Sequence, residues 1–261
     1  MLTPNKTIQD SIVFIQQNLD QDLSLNVLAD EAAYSPFHFS RMFKRQIGVS
    51  PMYFISSLRL QLAKTLLLDT AFPIRDIGLE IGQQSLGTFT TRFTKSIGMT
   101  PASFRASLQH PEAYMTDLKQ NKWQPPSMHT ASTRQLSGSI QTDEPFNGII
   151  LAGLFPKPIP EGLPVRGTLL IHSHSFHLTN IPVGTYFLMA TAISWEMDSK
   201  KILIPQETLR ARHPYPISID GKRSLPETRL IMRKPEITDP PILISLPLLM
   251  KHFLQQSPIS H

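Results

Sequence analysis

The chain has 261 residues and a net charge of +5, with 41% hydrophobic and 17% charged residues, a balance that builds cores and excludes wholesale disorder. It contains no cysteine, which removes disulfides, thiolate metal sites and thiol nucleophiles together. Its start leads into a polar amphipathic segment rather than the apolar run of a signal peptide, so a soluble, cytoplasmic protein without membrane partners is expected.

Proline divides the chain, with five in residues 1–110 and eighteen in 111–261. The first part has helical spacing throughout. Ile8, Ile12, Ile15 and Leu19 share one helical face. Ser24 is placed to cap a short helix burying Leu25, Leu28, Ala29 and Ala32. Ser35-Pro36 combines a cap with proline in the first helical position, where its missing N–H costs nothing. The helix that follows turns Phe39, Met42 and Phe43 inward and stops near Gly48. Ser50-Pro51 repeats the signal and opens a long helix to about Asp69, with Phe54, Leu58, Leu62 and Leu66 on one side.

An internal repeat appears at an offset of 50 residues. Phe39 to Pro51 is echoed by Phe89 to Pro101 on the skeleton F-x-x-x-F-x-[KR]-x-I-G-x-[ST]-P, and Phe54 matches Phe104. Two copies joined by one long helix suit a pair of helix-turn-helix units, each needing a small residue where its helices cross. Ala29 and Gly78 occupy that place. The second helix of such a unit is apolar inside and carries contact side chains on its outer, N-terminal face.

On these residues the stretch from about Ile8 to Ala106 resembles the DNA-binding domain of the AraC/XylS family of transcription regulators. The terminal block Phe89-x-x-Arg92-Phe93-x-Lys95-x-x-Gly98-Met99-Thr100-Pro101-x-x-Phe104-Arg105 is the most specific part. One departure is Gln83, where the family usually has an aromatic residue after the glycine of the second turn. The resemblance implies that Phe37, Ser40 and Arg41 face base edges, a guanidinium being able to bond guanine O6 and N7 together. It places His38, Lys44 and Arg45 for phosphates. In the second unit it puts Leu86, Gly87, Thr88 and Thr91 toward the groove, with Lys95 toward the backbone. None of those four is long enough for bidentate readout, so thymine methyls and backbone shape are what they can sense. The bland alternative is a solvated face for each Lys and Arg and a turn-packing role for Phe37.

Residues 108–134 read as a polar linker, with one helical turn near Ala113 to Leu118. Beyond it come short strands separated by Gly and Pro turns: 135–140, 149–155, 167–171, then strand, turn, strand over 176–190. A short helix is expected over Pro205 to Arg212. Residues 216–219 and 228–232 read as a hairpin around Asp220-Gly221. The run F-x-L-x-x-I-P-x-G-T-Y (176–186) resembles carboxypeptidase regulatory-like, prealbumin-type β-sandwich modules, in which it is structural. A competing likeness is the effector-binding α/β domain C-terminal to some AraC-type regulators, against which the scarcity of amphipathic helices speaks. His172, His174 and His177 form H-x-H-x-x-H, but no carboxylate completes a metal set. Residues 240–261 form an apolar tail that must pack on a domain or a partner. Its longest apolar stretch, Ile242 to Met250, is nine residues, too short for a bilayer core that takes about 20.

The expected architecture is multidomain α plus β: an all-α double helix-turn-helix domain over 5–107, followed by a mostly antiparallel β-sandwich domain over 135–239. The expected function is sequence-specific regulation of transcription, with an architectural, low-specificity DNA binder as the alternative. Double-stranded DNA is the expected partner, and RNA polymerase and a small-molecule effector are further candidates. No cofactor, metal or catalytic residue is expected: G-x-S-x-G, H-E-x-x-H and P-loop patterns are missing from the sequence. Alkyl-transfer repair fails for want of a thiolate acceptor. The apolar faces of the first domain suggest that a fragment ending near Leu108 folds alone.

Overall fold

A computed structural model describes residues 4–83, 85–107, 134–171, 173–223 and 225–256. The chain forms two compact units. One comprises residues 1–106 together with Glu236–Leu243, the other Ser107–Pro235 with Ile244–His261. The linker, His172, Gln84 and the last five residues of the tail lie outside the described residues.

The first unit contains α1 (Lys6–Gln17), α2 (Leu25–Glu31), α3 (Pro36–Ile47), α4 (Pro51–Asp69), α5 (Ile74–Glu80), α6 (Leu86–Ile97) and α7 (Pro101–Ala106). Capping explains most of these boundaries. Side-chain oxygens of Asn5, Ser24, Ser35, Ser50 and Ser85 accept from the third amide of the following helix, satisfying donors that have no partner within it. α3 and α6 end on Gly48 (φ 88°) and Gly98 (φ 89°), left-handed positions where a Cβ is costly.

The repeat in sequence becomes a repeat in packing. Phe39, Phe43 and Phe54 contact in series with ring centroids 5.8 and 5.6 Å apart. Phe89, Phe93 and Phe104 do the same at 5.6 and 5.7 Å. All six are fully buried. The turns also match: Tyr34 N–H donates to the Ala29 carbonyl and Gln83 N–H to the Gly78 carbonyl, both at 2.9 Å. The crossing residues are packed tight, and a Cβ on Gly78 would lie 3.2 Å from the Phe89 ring.

The long helix departs from the expected one-sided pattern. Leu58, Leu62 and Leu66 are only half-buried, while Phe54, Ile55, Leu60, Ala63 and Leu67 are buried with Ser57, Gln61 and Lys64. α4 therefore packs on more than one side. Lys64 is wholly buried, its ammonium donating to the carbonyls of Ile242 (3.2 Å) and Leu243 (3.4 Å), with the Phe104 ring 5.7 Å away.

The second unit holds β1 (Leu136–Thr142), β2 (Gly148–Phe155), β3 (Arg166–Leu170), β4 (Ser175–Leu178), β5 (Gly184–Ser194), α8 (Ser199–Leu203), β6 (Arg210–Arg212), β7 (Ile217–Ile219), β8 (Thr228–Met232) and α9 (Leu246–Gln256). One sheet runs β4-β1-β8; the other runs β3-β2-β5-β6, with β7 also pairing β5. Every pairing is antiparallel except β1 with β8. Side chains of both sheets, among them Ile140, Leu154, Phe176, Leu188 and Met232, form one apolar cluster. α9 covers β3, where the Phe253 ring occupies the space in which Gly167 would carry a Cβ.

Three local expectations fail here. β7 and β8 are not a hairpin: they pair with β5 and β1 in different sheets. The Asp220 carboxylate accepts from the backbone N–H groups of Lys222 and Arg223, so the chain turns into a loop instead of reversing tightly. Strands β4 and β5 are likewise partners of β1 and β2 and not of each other. The expected helix at 205–212 lies earlier, at Ser199–Leu203, capped by Asp198. Residues 210–212 instead complete the edge of β5, and the Arg210 guanidinium takes the carbonyls of Pro205 and Gln206 that a helix there would need.

Ala33 sits at φ 56° where the second turn has Gly82 at φ 75°. Ala33→Gly should stabilise the first unit by about 1 kcal/mol, and Gly82→Ala should cost a similar amount; chemical denaturation of each variant checks both.

Desolvation lowers the Lys64 pKa from 10.5 to about 7. Between those values the unfolded chain binds the extra proton, so stability should rise with pH across this window, by up to about 1.4 kcal/mol per pH unit. Below about 7 the ammonium is charged in both states and its contribution to the slope vanishes. Lys64→Met should remove this part of the slope, measured by denaturation at pH 7, 8 and 9.

Candidate nucleic-acid interface

The net charge of the first domain hides a local asymmetry. Residues 1–110 carry ten Lys/Arg and eight Asp/Glu, only +2. Yet α3 (PFHFSRMFKRQI) and α6 (LGTFTTRFTKSI) hold no acidic residue, while α2 and α5 hold Asp30, Glu31, Asp76 and Glu80. These four acids lie on the first helix of each unit, and the charged side chains of α3 and α6 are all cations. A polyanion approaching α3 or α6 meets positive charge alone at those helices.

Burying the aromatic side of α3 fixes what it exposes. Phe39, Met42, Phe43 and Ile47 are inside, and Phe37, His38, Arg41, Lys44 and Arg45 are therefore outside. Phe37 is 75% exposed, far more than a turn-packing residue would be. The Arg41 guanidinium lies 5.9 Å from the Phe37 ring centre, and the His38 ring stacks on Tyr34 with centroids 4.9 Å apart. These contacts restrict long side chains without neutralising them. Ser40 is half-buried, so it is less accessible than its position on the helix implies.

α6 is built alike but equipped differently. Phe89, Phe93, Ser96 and Ile97 are buried; Leu86, Gly87, Thr88, Thr91 and Lys95 are exposed. The Thr88 hydroxyl accepts from Ser85 Oγ at 2.8 Å, so part of its hydrogen-bonding capacity serves the cap. Nothing lies within 4 Å of where a Gly87 Cβ would stand, leaving the backbone open to close approach.

Two arginines that spacing alone did not single out hold the segments leading into each unit. Arg59 donates to the carbonyls of Leu19 and Gln21 before α2. Arg105 donates to those of Leu67 and Phe72 before α5. Their partners are backbone groups far away in the chain, which carry no side-chain pattern. Elsewhere, His177 lies on β4, across from Ser137 with Nδ1 2.9 Å from the hydroxyl. Among the described residues no cluster of His, Asp or Glu could hold a metal ion, and no helix is long and apolar enough to cross a membrane.

Paired turns, paired aromatic series and two outward cationic helices define a double helix-turn-helix domain. Residues 28–107 match the family profile of a helix-turn-helix domain. The chain is 34% identical over 107 residues to the regulatory protein SoxS of Escherichia coli (strain K12), covering 41% of this chain and 100% of SoxS. It is 38% identical over 98 residues to the uncharacterized helix-turn-helix-type transcriptional regulator YobQ of Bacillus subtilis (strain 168), 38% of this chain and 41% of that protein. It is 40% identical over 100 residues to the right origin-binding protein of E. coli (strain K12), 38% of this chain and 35% of that protein. The chain thus spans well under half of the last two relatives. It belongs to the AraC/XylS family of helix-turn-helix regulators.

Proposed function

We propose that the chain is a sequence-specific transcription regulator whose α3 and α6 enter the major groove of duplex DNA. The observation that carries this reading is the pair of acid-free helices presented on equivalent turns, one with an exposed Phe37–Arg41 pair. A 19-residue connecting helix is about 28 Å long, comparable to the roughly 34 Å turn of the duplex that separates successive grooves. SoxS, a relative covered over its whole length, is itself a regulatory protein.

The two units divide the work. Arg41 can bond guanine O6 and N7 and Phe37 can contact a thymine methyl, whereas α6 supplies short side chains and an open backbone for shape readout. Lys44, Arg45, His38 and Lys95 meet phosphates, which position the protein without reading sequence. The strand-rich unit is a non-catalytic regulatory module, and effector binding, dimerisation or contact with RNA polymerase are the roles open to it. Its two sheets around one core are consistent with a sandwich of the prealbumin type.

Selection from a random duplex library tests the reading: a shared motif should emerge, and its absence would favour an architectural binder. On the selected site Arg41→Ala should cost about 1–3 kcal/mol and relax preference at one base pair. An equal loss on random DNA would make Arg41 a phosphate contact. If about six phosphates are engaged, affinity should fall by roughly five decades per decade of salt, read from a fluorescence-anisotropy titration series.

A further inference from the structure

Residues Glu236–Leu243 belong to the helix-turn-helix unit although the chain on both sides of them belongs to the strand-rich unit. The strap is short and held at both ends. Before it, Arg233 and Arg210 exchange backbone hydrogen bonds of 2.9 and 3.1 Å. After it, Ile244 N–H donates to the Pro160 carbonyl at 3.0 Å. It is also stiff. Asp239 N–H donates to the Glu236 carbonyl, and the Asp239 carboxylate accepts from Glu236 N–H, closing a turn. Pro240 and Pro241 then fix two successive φ angles. Such a segment keeps little backbone freedom.

Lys64, which meets the strap, belongs to a polar row on α4. Ser57, Gln61 and Lys64 are spaced four and three apart, which puts them on one side of the helix. Lys64 meets the strap through two carbonyls, beside the buried side chains of Ile242 and Leu243. Gln61 is buried with no hydrogen-bond partner for either amide atom among the described residues. A permanent core contact would favour apolar residues here. Release would let water satisfy the Gln61 amide and solvate the Lys64 ammonium, which offsets part of the cost of exposing Ile242 and Leu243.

We propose that residues 236–243 are a reversible latch on the connecting helix, caught by Lys64, through which the strand-rich unit governs the rigidity of α4 and so the register of the two DNA-reading helices. Seated, the strap excludes water from α4. Released, it leaves a polar helix face that stays soluble, and the two readers lose their common brace.

The test uses the full chain and two kinds of readout. In the first, a succinimidyl acetate probe at pH 8 acylates lysines, and peptide mass spectrometry compares Lys64 with exposed Lys44. An accessible Lys64, no longer desolvated, would react at a rate like that of exposed Lys44. A seated latch should instead make it slower by about 100-fold, the population of a local opening. Equal or faster labelling overturns the proposal.

The second readout loosens the strap with Pro240→Gly/Pro241→Gly, or breaks it with Leu243→Asp. Either should expose Lys64 to the probe, speed amide exchange along α4 and weaken binding to the library-selected duplex by about 10-fold, while exchange in β2 and β5 is unchanged. Should Leu243→Asp fail to fold, the proline variant carries the test. Persistent protection of Lys64 in the proline variant, or its exposure with α4 exchange and affinity unchanged, overturns the latch. The DNA measurement rests on the proposed function; if no duplex is bound at all, that reading fails while labelling and exchange still decide the latch.

Discussion

The helical unit depends on one constraint: α4 must serve two cores at once. Its N-terminal turn delivers Phe54 to the aromatic series of α3, and its C-terminal end is held by Arg105 near α5. A helix with two such obligations cannot have a free polar face, and α4 is buried or half-buried almost all round. α3 packs on it directly, and α6 through α5 and α7. The rest of each unit is local chemistry: a serine cap, a glycine stop and aromatic rings spaced to meet.

The same constraint explains the unusual lysine. Lys64 lies where α4 passes beneath the returning chain, with two backbone carbonyls and an aromatic ring around its ammonium. Two neutral carbonyls compensate a buried charge only in part, and desolvation prevails in setting the pKa. A lysine on a surface helix would carry no such penalty. Its presence marks the place where a domain that looks complete by itself includes residues from the far end of the chain, at odds with independent folding of a fragment ending near Leu108.

The strand-rich unit follows a different logic. Turn chemistry such as Asp220-Gly221 or Pro182-Val183-Gly184 marks where a strand ends but not which strand it joins. Asp220 spends its carboxylate on two local amides, and β7 and β8 then enter separate sheets. The one parallel pairing, β1 with β8, joins strands far apart in sequence and leaves no local signature. Pairing here is decided by the shared apolar cluster, in which Ile140, Leu188 and Met232 meet from three strands.

Sequence alone determined the elements of the first unit, the caps at Ser24, Ser35 and Ser50, and the exposed residues of α3 and α6 apart from Ser40, because capping, proline placement and helical periodicity act over a few residues. It also located the strands of the second unit other than β6, since alternation and turn residues are equally local. Tertiary structure alone decided strand partnership, the guanidinium clamps of Arg59 and Arg105, the half-burial of Ser40 and the seating of residues 236–243 against Lys64. Each of these joins groups distant in the chain, often through backbone carbonyls, which every residue carries and no sequence pattern distinguishes.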